Sequence, residues 1–538
     1  MRPFILPALL GVIALPLQIA PAQAYVALMA GQRARPLQGR FNAVPVLHSN
    51  QPEEVLGEGI LVSTLPGSAI AAETGQFLSN ATYTFNGDFG LHVHHKYYPS
   101  DSRRIYGPGG RRGELTLATI LVNPGAQPVH VRFAKGAVRN SFEAPYLATN
   151  LMGVKPLGPR PWNTGPGDAT AIQMLRGKLD AKLSDELTIP AHGRIVLFAT
   201  QLPAKGIANG LLSGHSDGPF QMAVVAAEDP SSDADILAVL DRGRLAPGRI
   251  YLQRIAQIEN GTVFSRVAGV AIGDTYTASL SHDLNQSALH VPLTSTPRHN
   301  FGTDEVQVNP LASRMVDSSL NNVGTYGVRF DVDLNLTGSG DYALVLSHPT
   351  PNGRNFTAFR GSIGIQTDEG YGEVHVGMGS GQSLPLAQLS LKPNQVNRIR
   401  VSLVYPADAT PGHLLSVVSN QQLAMAQQRS QLMAQAQSRP VASPLVAVAV
   451  PPPSNDTPGS EPPVRRPERP MSASATPSPP RPPIKPAPGW WNSLPAIPSP
   501  PGLPTAVINP GRLSESLVQR YQQAIEAQKR VMNALMGR

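Results

Sequence analysis

The sequence predicts a mainly β protein: two Ig-like β-sandwich domains, a disordered proline-rich linker and a C-terminal amphipathic helix. Three observations carry this. From Tyr25 to about Ser419, short β-branched and apolar runs alternate with Gly, Pro, Asn and Asp turns, and helical periodicity is scarce. The 538 residues contain no cysteine, so the folded part must hold itself together by burial alone, which a body of this size can do. Beyond Ser419 the composition changes abruptly, and 23 of the 54 prolines fall between residues 438 and 538.

Taken in order, residues 1–24 read as a cleavable export signal. Arg2 gives the positive start, Phe4 to Ile19 the apolar stretch, and Ala22-Gln23-Ala24 the small-residue cleavage site, so the mature chain is expected to begin at Tyr25. Pro7 and Pro16 and the shortness of the apolar run argue against a membrane anchor, and no later segment is apolar enough to span a bilayer. The first sandwich is expected over 25–248. Within it, Leu115 to Val122 and Val129 to Phe133 flank Asn123-Pro124-Gly125-Ala126-Gln127-Pro128, a pattern that predicts a hairpin. Ser232 to Leu240 predicts one short helix, with Ser232 as cap, Asp233 and Asp235 at its amino end, and Ile236, Leu237 and Leu240 on one face.

The second sandwich is expected over 249–419, because the first half has a weak echo in the second. Leu187 to Leu197, a strand, a proline turn and a second strand, is matched by Leu389 to Val401. Leu115 to Phe133 is matched by Val328 to Leu346, with its turn at Thr337 to Asp341. The split is placed near Pro247 to Arg249. Residues 420–438, rich in Gln and Ala, predict an exposed helix, and residues 439–509 cannot bury enough apolar surface to order. Residues 510–538 predict an amphipathic helix whose stripe includes Leu517, Tyr521, Ile525 and Met532. The formal charge is +8, most of it in the tail, where eleven Lys and Arg face five Asp and Glu between 438 and 538. No basic run with interleaved aromatics occurs in the body, so nucleic acid is not an expected partner.

Candidate chemistry is sparse. Gly214-His215-Ser216-Asp217-Gly218 has the letters of a nucleophile elbow, but Pro219 follows at once and Phe220 to Ala226 reads as a strand, so a Gly-rich turn between strands is expected instead. In Leu91-His92-Val93-His94-His95, His92 and His94 share one strand face and His95 the other. The first two are weak metal candidates, and a half-exposed polar face is the expected reading. Tyr97 beside them is a candidate aromatic contact for a sugar, and Arg103 and Arg111, around a Gly-rich loop, are candidates for an acidic polysaccharide or phosphate, with a solvated surface loop as the default reading. Glu228, Asp229, Asp233 and Asp235 match no calcium loop, and helix capping accounts for the last two. Trp490 and Trp491, in a segment with nothing to bury them, are candidate docking residues together with the terminal stripe.

Arg35-Pro36-Leu37 through Val44-Pro45-Val46 to Glu58-Gly59-Ile60-Leu61, the Asn-Pro-Gly-x-Gln-Pro turn at Asn123, Arg266 to Ala271, and Val404 to Pro411 resemble an uncharacterised family of exported cyanobacterial proteins, catalogued as domain of unknown function thirty-three seventy. The likeness covers about Tyr25 to Ser419. It implies origin and export and assigns no activity. The expected function is that of a secreted, non-enzymatic structural or binding component of a bacterial cell envelope, in the periplasm or on the outer surface, docking to itself or to an envelope protein through its terminal helix. The alternative is a carbohydrate-binding or carbohydrate-acting sandwich. No catalytic residue and no cofactor are expected.

Overall fold

The computed structural model describes residues 26–29, 31–105, 113–146, 152–158, 164–261, 266–349, 356–407 and 409–438. Every described residue belongs to one compact unit. The expected signal segment (1–24), the proline-rich linker (439–509) with Trp490 and Trp491, and the terminal stripe of Leu517, Tyr521, Ile525 and Met532 all lie outside the described residues.

The described chain is mainly β. In chain order the strands are β1 (Arg40–Phe41), β2 (Pro45–Ser49), β3 (Glu54–Val55), β4 (Gly59–Ser63), β5 (Ser68–Ile70), β6 (Phe77–Ser79), β7 (Phe85–Tyr97), β8 (Glu114–Val122), β9 (Val129–Asn140), β10 (Gly153–Pro156), β11 (Glu186–Ile189), β12 (Arg194–Pro203) and β13 (Ile207–Ala227). They continue with β14 (Ala268–Ile272), β15 (Thr275–Asp283), β16 (Leu289–Leu293), β17 (Asn309–Arg314), β18 (Asn321–Asn322), β19 (Arg329–Thr337), β20 (Gly340–Ser347), β21 (Thr357–Thr367), β22 (Gly370–Gly379), β23 (Ser383–Leu391), β24 (Asn397–Val404) and β25 (His413–Ser419). The helices are α1 (Pro166–Leu175), α2 (Asp233–Asp241), α3 (Ile255–Glu259) and α4 (Asn420–Ser438).

The first core is built on β13, which belongs to two layers. Ile207–Ser216 pairs with β7 and β9, whereas Gln221–Ala227 pairs with β8 and, through Ala223–Ala226, with β4. The register against β7 shifts between Ser216 and Phe220. The corner falls at Asp217-Gly218-Pro219, where proline has no N–H to give to a ladder and a strand can leave one sheet for another. The expected Gly-rich turn at Gly214–Gly218 is therefore a bend inside one long strand. Apolar residues from both layers, among them Leu91, Phe133, Ile120 and Met222, fill the space between. The second core lies between a seven-stranded sheet, ordered β1-β15-β19-β24-β21-β22-β10, and a four-stranded sheet, ordered β16-β25-β20-β23. Phe330, Val401 and Ile363 from the larger sheet meet Leu344, Leu389 and Val417 from the smaller.

The strand on each side of Asn123–Pro128 falls where expected, but β8 and β9 do not pair with each other. β8 bonds to β12 and β13, and β9 to β11 and β13, so the turn carries the chain from one layer to the other as an arch instead of closing a hairpin. The next connection, Pro190–Gly193, carries the chain back from β11 to β12 directly beside it, with Val122 opposite Arg194 and Val129 opposite Ile189. The second core repeats this arrangement. β19 and β20 form one arch, β23 and β24 the other, with Leu336 opposite Asn397 and Gly340 opposite Leu391. The two blocks that echo each other in sequence are thus the same pair of stacked arches. Their turns match at His192 and Asn394, both with positive φ (51° and 59°), which sets the two prolines one position out of step.

An asparagine clamps each pair. The buried Asn123 amide donates to the carbonyls of Gln127 (2.6 Å), Ile189 (3.3 Å) and Pro190 (3.1 Å), and the Asn397 amide donates to those of Leu336 (3.4 Å), Lys392 (3.1 Å) and Gln395 (3.3 Å).

Pro247–Arg249 separates the two cores but is not a linker between independent halves. β14 and β17 extend the sheet of the first core through β2, while β1 and β10 form the two edges of the seven-stranded sheet of the second. Arg249 itself is fully buried. Its guanidinium donates to both carboxylate oxygens of Asp317 at 2.9 Å and to the Leu61 carbonyl, and the Glu73 carboxylate accepts from the backbone N–H groups of Gly248 (2.6 Å) and Arg249 (2.7 Å). A charge removed from water in this way needs a partner held in place, which fixes the crossing rather than loosening it.

The short helix follows its expected chemistry. Ser232 caps α2 in a capping box with Asp235, whose carboxylate also accepts from the Ser231 N–H at 2.8 Å, and Ile236 and Val239 are buried. The Gln- and Ala-rich segment is helical as α4 but not wholly exposed. Leu423 and Ala426, one turn apart, pack with Val26 and Leu28 over Ala343, Val345, Leu414 and Val418. These four strand residues face away from the second core, and without that cover they would be left in water.

Candidate functional site

The alternation of β7 puts Leu91, Val93 and Tyr97 in the first core and His92 and His94 on the opposite face. That face is not half-exposed as the sequence suggests. His92 and His94 are both 2% exposed, and over His92 the cover comes from residues more than two hundred positions away. The Tyr326 ring lies 6.5 Å from that of His92, and Gly327 (φ +77°) approaches so closely that a Cβ there would sit 3.3 Å from the His92 Cβ. His48, on the parallel neighbour β2, places Nδ1 3.2 Å from His92 Nδ1. His94 Nδ1 donates to Asn209 Oδ1 (3.0 Å), and the Asn209 amide donates to Thr170 Oγ1 of α1. On the other face, His95 Nδ1 donates to the Pro52 carbonyl (2.7 Å) and Nε2 accepts from Ser49 Oγ (2.8 Å).

Burial keeps these rings neutral. It pushes His92 and His94 down to about 3 and His95 to about 4, and holds His48 well below its usual value, while His48 beside His92, and His92 beside His95, are each lowered further because two close imidazoles resist both taking a proton. Glu53 beside them behaves oppositely. Burial would raise its carboxyl, but Arg266 and Lys96, the latter 2.6 Å away, hold it well below the usual carboxylate range. These neutral imidazoles bond to an amide, a carbonyl, each other and, for His95, the hydroxyl of Ser49, a serine with 0% exposure, so the seam they lock is closed to solvent.

Two further histidine groups lie far apart in sequence and carry no spacing signal. Asp168, in the first turn of α1, holds His375 Nδ1 at 2.9 Å and accepts from Ser362 Oγ at 3.3 Å, all three residues being buried. A carboxylate orienting an imidazole is half of a nucleophilic triad, but the serine here sits on the carboxylate, and among the described residues His375 Nε2 has no hydrogen-bond partner. At one end of the second core, the rings of His348 and His413 lie 5.0 Å apart edge to face, walled by Phe359 and Tyr405. His348 Nδ1 donates to the Pro349 carbonyl at 2.7 Å, and burial lowers the group to about 4. Among the described residues no group of three or more His, Asp or Glu is arranged to hold a metal ion.

The other sequence candidates scatter. Tyr97 is 1% exposed, a core side chain whose hydroxyl accepts from Arg104 (3.1 Å), so it offers no stacking platform. Arg103 is exposed and folds back on its own helix cap, Asp101, at 3.2 Å. Arg111 lies outside the described residues. Arg104 pairs with Glu228 and with Asp229 (3.5 Å), which gives that carboxylate pair a cationic partner in place of calcium. His215 and Ser216 point to separate places: His215 to Asp88 (2.7 Å) and Ser216 to the Gly87 N–H (3.2 Å).

Two recesses of the described surface lie at the arch end of the second core. Two adjoining depressions, of about 320 and 520 Å³, share Asp283, Thr337 and Val396. Polar side chains line them, including Asn285, Ser339, Asn394, Gln395 and Arg398. Sequence reading identified Pro393–Gln395 only as a turn. A turn opposite a second turn makes a groove, and that pairing is set by the fold.

No curated protein matches the chain. Among solved structures, the tandem CBM51 modules of Sp3GH98, the family 98 glycoside hydrolase from Streptococcus pneumoniae SP3-BS71, align over 66% of this chain and 92% of that one, at 9% identity and a TM-score of 0.12. That score carries no argument about fold or ligand. The model of the family described as Protein of unknown function (DUF3370) matches residues 32–419, which span both cores, both arch pairs and the groove between the second pair. This chain belongs to that family.

Proposed function

We propose that the protein is a secreted, non-enzymatic structural or binding component of a bacterial cell envelope. The observation that carries this reading is the fate of its chemistry-bearing side chains: the clusters at His48/His92/His94, Asp168/His375 and His348/His413 are buried and committed to structural contacts. The leader-like residues 1–24 and the proline-rich tail support export and reach across an envelope. Val26 and Leu28, just past the expected cleavage site, are buried against the sheet of β20 and β25, so cleavage after Ala24 spares every residue this cover needs. Fractionation of the native cell followed by amino-terminal sequencing tests the reading. A chain beginning at Tyr25 in the periplasmic or surface fraction is the expected result, and an uncleaved chain in the cytoplasm contradicts it.

A further inference from the structure

The two arch pairs are built alike and finished differently. In the first, the turns are zipped together: the Asn123 N–H donates to the Gly193 carbonyl (2.9 Å), the His192 N–H to the Gly125 carbonyl (2.9 Å), and His192 Nδ1 to the Pro124 carbonyl (3.2 Å). In the second, pairing stops at Leu336–Asn397 on one side and Gly340–Leu391 on the other, and among the described residues no backbone bond joins Thr337–Ser339 to Lys392–Val396. The first depression is the space between them, and the second continues the groove beside it along β15, β19 and β24, where Arg398 stands. The same frame can close this gap, as the first pair does.

The groove's chemistry names its ligand class. Asp283 and Arg398 balance in charge, which disfavours a strongly ionic ligand. Amide, hydroxyl and guanidinium groups from Asn394, Gln395, Ser339 and Arg398 stand exposed with no side-chain hydrogen bond or ion pair among the described residues, while Asn285 and Asp283 bond to each other at 3.0 Å. Val396, 51% exposed, adds an apolar patch. Several planar polar groups around a small apolar contact suit a ligand with many hydroxyls on a C–H framework, and the volumes fall in the range of small-ligand sites, roughly 300–1,000 Å³. We infer that the groove between the Thr337–Ser339 and Lys392–Val396 turns binds a neutral saccharide chain. This deepens the reading of the body as a non-catalytic binding component.

The full exported chain is tested by affinity electrophoresis and calorimetry against neutral polysaccharides: β-glucan, α-glucan, mannan and galactan. Retention by at least one is expected. Arg398→Ala with Gln395→Ala should weaken association at least tenfold, and Ser339→Trp should block the groove, each with an unchanged melting temperature. Gln127→Trp, on the closed arch pair, should leave binding intact. No retention by any of the four, or retention that survives Ser339→Trp and Arg398→Ala, overturns the assignment. Release of reducing ends during the assay would instead overturn the non-catalytic reading and leave the groove's ligand standing.

Discussion

Lowering the pH from 7.5 to 5.5 is expected to cost the folded body roughly 7 kcal/mol of stability, well above the pH at which carboxylates near 4 begin to titrate. His92 and His94 are held down to about 3, and His95, His348 and His290, a buried residue of β16 bonded to Ser416 Oγ at 2.8 Å, to about 4, in each case chiefly by burial. In the unfolded chain all five return to about 6.5, so as the pH falls through that value the unfolded state takes up protons that the folded state refuses. Stability is therefore complete above about pH 7 and lost downward from 6.5 toward the folded values, at about 1.4 kcal/mol per group by pH 5.5. Glu53, whose carboxyl is held low, adds its own loss only further down, below the ordinary glutamate range. Urea titrations at half-unit pH intervals read this directly. A stability flat between pH 7.5 and 5.5 would mean that the rings are reached by water.

Asp317→Ala is expected to destabilise the body by about 3–5 kcal/mol, because it leaves the Arg249 guanidinium in a site with no exposure and no counter-charge. The double variant Arg249→Met with Asp317→Leu should recover most of that loss, since neither charge then needs a partner. Chemical denaturation of the two variants beside the wild type separates a structural tie from a surface ion pair, for which the single change would cost less than about 1 kcal/mol. The effect should also appear as one cooperative transition, because strands cross between the cores in both directions on either side of Arg249.

Local signals in the sequence suffice where the structure is local. The cap at Ser232 with Asp235, the strands flanking Asn123–Pro128 and the turn at Pro190 are all set by neighbours within a few residues. What alternation cannot state is a strand's partner. Leu115–Val122 and Val129–Phe133 have the same pattern whether they close a hairpin or cross between layers, and the crossing is decided by β12, β11 and β13, the last about 110 residues on for Thr116 against Ala227. The histidines fail for a related reason. His92 and His94 form a polar strand face that looks solvated, yet Tyr326 and Gly327 close over His92 and Asn209 bonds His94, and Asp168 meets His375 across 207 positions. The groove was invisible for the same cause: Asn394 and Gln395 mark a turn, and only its stacking against Gly338 and Ser339 makes it a recess.

The central claim, an envelope component that works by binding and docking, is tested most directly by a pull-down from native envelope extract. Full-length mature chain would be used beside a version ending at Ser438, the last residue of α4, with the size of each measured by light scattering. The account predicts that the full chain retains envelope partners or forms larger assemblies and that the shortened chain loses them. Identical partners and identical size for both would contradict it.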